Sequence, residues 1–326
     1  MSIAIQTQKI TGNNGGTFTF PSQIGQYAYA LQYFNLQVLQ AKYGSREIQN
    51  IGVTLRPSSD AGDDDPNSVT LNQTMHLDYV DYSQSYTYVT VVAWLGSDDP
   101  TGVVLQNQNG IAVDQMSSQT GQPLSTGYPP LYATAAIAGF SFTFTSDDSD
   151  YLGLAVGVGA TNSLYTQTPS ISAVVSGIWT GDSAFSGTVD AAVIATTSEA
   201  TDLNLGLSYV ANASPSSGVQ VDPLPALGGA GVASAGFLIQ SFFTQFDPTL
   251  NPTPDLSQTY IGALPSGVSL NHPQTGAVQA QSTGQLQDND YAGTGTTCKA
   301  QNALVNYLVV ECPEAQSATE HSRNPS

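Results

Sequence analysis

One short pattern limits the folds open to this chain. Leu31-Gln32-Tyr33-Phe34 returns as Ile137-Ala138-Gly139-Phe140 and as Ile239-Gln240-Ser241-Phe242, with Leu or Ile three positions ahead of Phe each time. The three phenylalanines lie 106 and 102 positions apart, about the length of one small domain. Each copy is followed by β-prone segments in the same order. In the first copy they are 48–55, 69–77 and 86–95; in the second 151–158, 171–179 and 187–195; in the third 259–264, 276–281 and 303–310. Around the first copy Tyr27, Tyr29, Leu31 and Tyr33 fall on one parity and Ala28, Ala30 and Gln32 on the other. That period of two belongs to a strand.

No stretch carries the 3.6-residue apolar period of an amphipathic helix. The expectation is an all-β fold with little helix, built of three tandem antiparallel β-sandwich modules arranged as a pseudo-trimer. The boundaries read as module 1 over 1–100, a linker over 101–127, module 2 over 128–212, a second linker over 213–231, module 3 over 232–313 and a disordered tail over 314–326. Chance recurrence among many short strands is the competing explanation of the repeat. Residues three apart on a regular strand face opposite ways, so Leu31 and Phe34 are expected to be covered on opposite faces.

Charge excludes several partners. The net charge is −19, and only 10% of residues are charged, against about a quarter in an ordinary globular protein. No Lys or Arg occurs between Arg56 and Lys299. That span cannot supply the basic stripe a nucleic acid requires, and an anionic membrane surface would repel it. No run of apolar residues is long enough to span a bilayer as a helix. The amino-terminal stretch lacks the basic and apolar regions of a signal peptide, so a cytoplasmic location or leaderless export is expected. Neutral ligands such as sugars, cations, a protein partner or self-association remain.

Four kinds of residue could carry chemistry. Asp60, Asp63, Asp64 and Asp65, then Asp98 and Asp99, then Asp147, Asp148 and Asp150, sit in expected loops. Asp60, Asp63, Asp65, Asp147, Asp148 and Asp150 partly follow the alternating oxygen spacing that a calcium ion uses, without a full loop motif. The competing reading is that Asp belongs in turns. The tyrosines Tyr79, Tyr82, Tyr86 and Tyr88, with Trp94, could stack on sugar rings, and they could equally pack a core or an interface. Cys298 and Cys312 could form a local disulfide or stay free. The histidines His76, His272 and His321 stand apart from one another, and no nucleophile elbow or phosphate loop is present. No catalytic residue is therefore assigned.

Phe20-Pro21, the 51–57 strand and the Val92-Ala93-Trp94-Leu95-Gly96 ending, in that order, resemble the H-type lectin fold. The other two modules lack the tryptophan. The resemblance implies a small antiparallel sandwich that assembles as a trimer with sugar sites at subunit edges, and a single chain of three modules would be its covalent counterpart. The function expected is non-enzymatic, carbohydrate-binding adhesion. A self-assembling capsid, fibre or secretion component is the alternative, and an atypical hydrolase the third.

Overall fold

A computed structural model describes residues 2–39, 48–58, 65–96, 102–114, 118–144, 153–163, 169–179, 185–197, 206–213, 218–221, 232–246, 256–270, 278–288 and 302–313. Among these the only helical turn is a short 3-10 turn, Pro265–Gly267. The first third of the chain contributes β1 (Ser2–Thr11), β2 (Gly15–Thr19), β3 (Ile24–Gln37), β4 (Asn50–Pro57), β5 (Ser68–Met75) and β6 (Tyr86–Leu95). The second contributes β7 (Val103–Asp114), β8 (Gln119–Thr120), β9 (Leu124–Ser125), β10 (Pro130–Phe144), β11 (Gly153–Ser163), β12 (Ser170–Trp179) and β13 (Phe185–Thr197). The third contributes β14 (Gly206–Ala213), β15 (Gly218–Val221), β16 (Val232–Gln245), β17 (Leu256–Ala263), β18 (Val278–Asp288) and β19 (Asn302–Pro313).

The fold is all-β, as the periodicity predicts, and the strands form three antiparallel sheets. Sheet I runs β1-β6-β3-β17-β18-β15, sheet II runs β2-β5-β4-β10-β13-β7, and sheet III runs β14-β19-β16-β11-β12-β8, with β9 beside β12. The sandwich modules expected to close on themselves are not what the pairing gives. Sheets I and II each take three strands from one third of the chain and three from another, and sheet III takes three from the last third and four from the second. In every case the junction joins the long strand that carries the recurring pattern in one third to the strand that follows the corresponding long strand in another: β3 to β17, β10 to β4, and β16 to β11.

The pairing also places part of the expected first linker and the end of the expected second module. Val103–Asp114 is a strand paired along β13, because its apolar Val103, Val104 and Leu105 are buried despite the amide run that follows. Gly206–Ala213, read as an addition to the second module, pairs instead with β19 of the last third.

The recurring Leu/Ile-x-x-Phe pattern has a geometric cause. The register slips by one residue between Leu31 and Tyr33, between Ile137 and Gly139, and between Ile239 and Ser241. Each slip is a β-bulge at the residue after Leu or Ile, and the extra residue restores parity. Leu31 and Phe34 therefore face the same way, contrary to the regular-strand expectation. Both point into the core, as do their counterparts: Leu31, Ile137 and Ile239 are buried. Phe34, Phe140 and Phe242 meet as a triangle of rings, with centroids 5.4, 5.2 and 5.4 Å apart. Rings at these separations and tilts attract beyond their area burial, by roughly 0.5–1.5 kcal/mol a pair. The core around them is continuous and draws on all three sheets.

Candidate functional site

The outer face of sheet I is tyrosine-rich because two neighbouring strands repeat tyrosine with a period of two. The register aligns Lys9, Tyr88, Tyr33 and Gly262 in one row across β1, β6, β3 and β17. The next row on the same face is Thr11, Tyr86, Asn35, Tyr260 and Gln285. Facing side chains in such rows touch directly. Tyr33 is the hub, with its ring 5.7 Å from Tyr86, 6.0 Å from Tyr88 and 6.3 Å from Tyr260. Tyr86 and Tyr88 meet edge to face at 5.9 Å.

Gly262 makes the close approach of β17 possible. Its φ is +132°, and a Cβ there would lie 2.3 Å from the Gln32 carbonyl oxygen and 2.6 Å from the Tyr33 Cα. Any side chain would push β17 away from β3 and separate Tyr260 from Tyr33.

Amides surround the rings. The Gln258 amide donates to Asn35 Oδ1 at 2.8 Å, and Asn35 Nδ2 donates to the Gln84 carbonyl at 3.0 Å. The Tyr260 hydroxyl donates to Gln285 Oε1. Lys9 Nζ lies 3.7 Å from the Tyr86 ring centroid, a cation–π contact. Tyr33 is covered by its neighbours, and burial holds its hydroxyl far above the ordinary phenol range, reinforced by Tyr86 and Tyr260. Burial also raises Tyr260. Tyr33 and Tyr260 therefore stay protonated over the physiological range. The face thus offers half-exposed ring surface at Tyr86, Tyr88 and Tyr260, rimmed by neutral polar groups.

Of the five residues expected to bind a ligand, Tyr86 and Tyr88 belong to this platform. Tyr79 and Tyr82 are exposed in the connection between β5 and β6. Tyr79 takes a left-handed φ of +57°, and its carbonyl accepts from the Leu39 amide at 2.7 Å. Trp94 is buried at the other end of β6, about 27 Å along the strand from Tyr86. Its ring nitrogen has no partner among the described residues. Tyr33, Tyr260, Lys9, Asn35, Gln258 and Gln285 were not singled out from sequence as site residues. The matching parity of Tyr33 with Tyr86 and Tyr88 was readable, whereas the arrival of β17 from the last third was not.

Of the expected calcium ligands, Asp60, Asp63, Asp147, Asp148 and Asp150 lie outside the described residues, as does Cys298. Asp65 is exposed, and its carboxylate accepts from the Asn67 amide at 3.0 Å, closing its own turn. Among the described residues no group of three or more His, Cys, Asp and Glu is placed to hold a metal. Cys312 is a buried free thiol that donates to the Ile3 carbonyl at 3.0 Å, and burial pushes it up to about 11.

A second polar constellation lies in sheet II. Arg56 on β4 reaches across β10 to Asp190 on β13, with contacts of 2.6 and 3.2 Å. Gly139 on β10 leaves the gap, since a Cβ there would sit 2.9 Å from Asp190 Oδ2. The His76 ring lies nearby, hydrogen-bonded to the Thr54 hydroxyl at 2.9 Å. On sheet III, Ile178, Ala155, Phe243 and Leu304 form one row, with Ile178 and Leu304 exposed.

Searches against protein-family models, curated proteins and solved structures found no match to this chain.

Proposed function

We propose that this is a non-enzymatic carbohydrate-binding protein, lectin-like in action, that engages a sugar on the outer face of sheet I. The observation that carries the proposal is the contiguity of Tyr33, Tyr86, Tyr88 and Tyr260 with Asn35, Gln258 and Gln285 around them. Ring faces take the C–H faces of a pyranose, and rim amides take its hydroxyls. Neutral phenols and amides suit a neutral ligand, and the net charge of −19 disfavours an anionic one. The exchange of strands among the three thirds supports reading the chain as a covalently joined trimer. A glycan array followed by calorimetry, with and without chelator, tests the proposal. The expected result is binding that Tyr86→Ala and Tyr88→Ala each weaken by about tenfold. Failure of every glycan to bind overturns it.

One observation favours a second reading, a self-assembling structural component. The row of exposed Ile178 and Leu304 with half-buried Phe243 on sheet III is a surface suited to a protein neighbour. Sedimentation and electron microscopy of wild type and Ile178→Asp test it. Regular particles abolished by the substitution support this reading, and a monomer at all concentrations removes it.

A further inference from the structure

A cavity of about 400 Å³ opens where β3 of sheet I meets β7 of sheet II. It is lined by Gln26, Tyr27, Tyr29, Gln106, Asn109 and Pro57, among others. On the far side of Asn109 a groove of about 520 Å³ continues past Gln119, Thr120 and Gln122. Asn109 lines both spaces, so the two adjoin.

The wall between them is held firmly. Asn107 uses its whole amide on Tyr29, accepting from its backbone N–H at 3.0 Å and donating to its carbonyl at 2.8 Å. This imitates a strand pairing and fixes β3 to β7. Gln26 Oε1 accepts from the Leu105 amide at 3.2 Å, a second tie. Strand β7 bulges at Asn109 and Gly110, between the pairs Gln108↔Ala191 and Ile111↔Val189. The bulge is pinned by the fully buried Asp190 carboxylate, which accepts from the Gly110 N–H at 2.6 Å. Arg56 compensates that charge. Burying a carboxylate is costly even when paired. Here its three donors hold the bulge that presents Asn109, which itself donates to the Tyr29 hydroxyl at 3.4 Å.

The chemistry of the lining selects a ligand class. Neither space is lined by a carboxylate, a lysine or an arginine. The half-buried Tyr27 ring forms one wall, backed by the buried Tyr29 ring at 6.4 Å. Burial holds both phenols protonated, Tyr29 at about 12. Gln106 and Asn109 are exposed at the mouth. An aromatic wall, neutral amides and no ionised group match a polyhydroxylated neutral molecule, and the volume is within the range of small-ligand sites. We infer that this cleft and groove form a saccharide site for a neutral oligosaccharide, with two subsites that meet at Asn109. The site lies apart from the tyrosine platform and does not depend on it.

The test uses the full chain, labelled with ¹⁵N, titrated with lactose, maltose, cellobiose and chitobiose, and with glucuronic acid as the charged control. The expected result is saturable movement of the Gln106 and Asn109 side-chain amide signals with at least one neutral disaccharide. Gln106→Ala, an exposed position, should weaken that response by about fivefold, and Tyr86→Ala should leave it unchanged. No movement with any disaccharide overturns the inference, whatever the platform binds. A response lost in Tyr86→Ala also overturns it, by placing the sugar on the platform alone. A stronger response to glucuronic acid overturns the neutral assignment.

Discussion

Tyr33, Gly139 and Ser241 occupy the same place in the three long strands, one residue past the bulge and one before the core phenylalanine. Inward of them the three strands are alike, with Phe34, Phe140 and Phe242 closing a nearly equilateral triangle. Outward they share nothing. Tyr33 is the hub of an aromatic platform. Gly139 is a gap that an ion pair crosses. Ser241 accepts from the Asn306 amide at 2.7 Å beside an apolar row. The comparison separates two demands on one strand. The inner face must satisfy a shared core, so its pattern repeats. The outer face answers to nothing in the core, so each third is free to carry a different chemistry there.

The strongest way to break that comparison is to unbalance the triangle. Phe140→Ala should cost about 3–5 kcal/mol, read as a shift in the denaturation midpoint. If the inner faces are equivalent, Phe34→Ala and Phe242→Ala should cost the same to within about 1 kcal/mol. One phenylalanine costing far less than the others would show that the core is not shared equally.

Next in size is Gly139→Val. A Cβ at this position would lie 2.8 Å from the Val53 carbonyl and 2.9 Å from Asp190 Oδ2. It would pry β4 from β10 and disturb the Arg56–Asp190 contact. The expected loss is about 2–4 kcal/mol, by denaturant titration. A cost under about 1 kcal/mol would mean that the gap is incidental.

These elements also explain what could be read in advance. The strand segments and their order were legible because burial on one face imposes a period of two on the sequence. The bulges were not, although their trace was on the page: Leu31 and Phe34 are an odd number apart, and both are large and apolar. A regular strand would need cover on both faces to bury them, whereas one extra residue lets a single core bury both. Strand exchange left no such trace, because β17 satisfies the same pairing rules beside β3 as it would beside β16. For the same reason Tyr86 and Tyr88 could be singled out as a pair, while Tyr260 joined them only through that exchange.

A smaller effect is expected at Ser241, the blandest of the three positions. Ser241→Ala removes one hydrogen bond, from Asn306, in a half-buried setting. About 1 kcal/mol or less should be lost, with no change in any sugar response. A larger loss would place sheet III closer to the other two sheets than its outer face suggests.

The smallest effect separates sheet II from its neighbours by pH. His76 follows β5, and its pKa lies below the ordinary 6.5, first because burial strips water from the imidazolium and then because Arg56 repels it, while Asp190 opposes the shift. The folded chain therefore binds this proton less readily than the unfolded chain does. The stability that comes from keeping the ring neutral is complete above pH 6.5 and is lost as the pH falls below that value. Replacing His76 with Gln keeps a polar partner for Thr54 and removes the titration. Stability measured by denaturant at a series of pH values between about 7 and about 5 should then fall less steeply in His76→Gln than in wild type. The two curves should lie close together near neutral pH and separate at the acid end, where the wild type alone has lost this contribution. Parallel curves would mean that the ring titrates as freely in the fold as in the open chain. The acid sensitivity would then belong to carboxylates, and sheet II would differ from sheet III only in its ion pair.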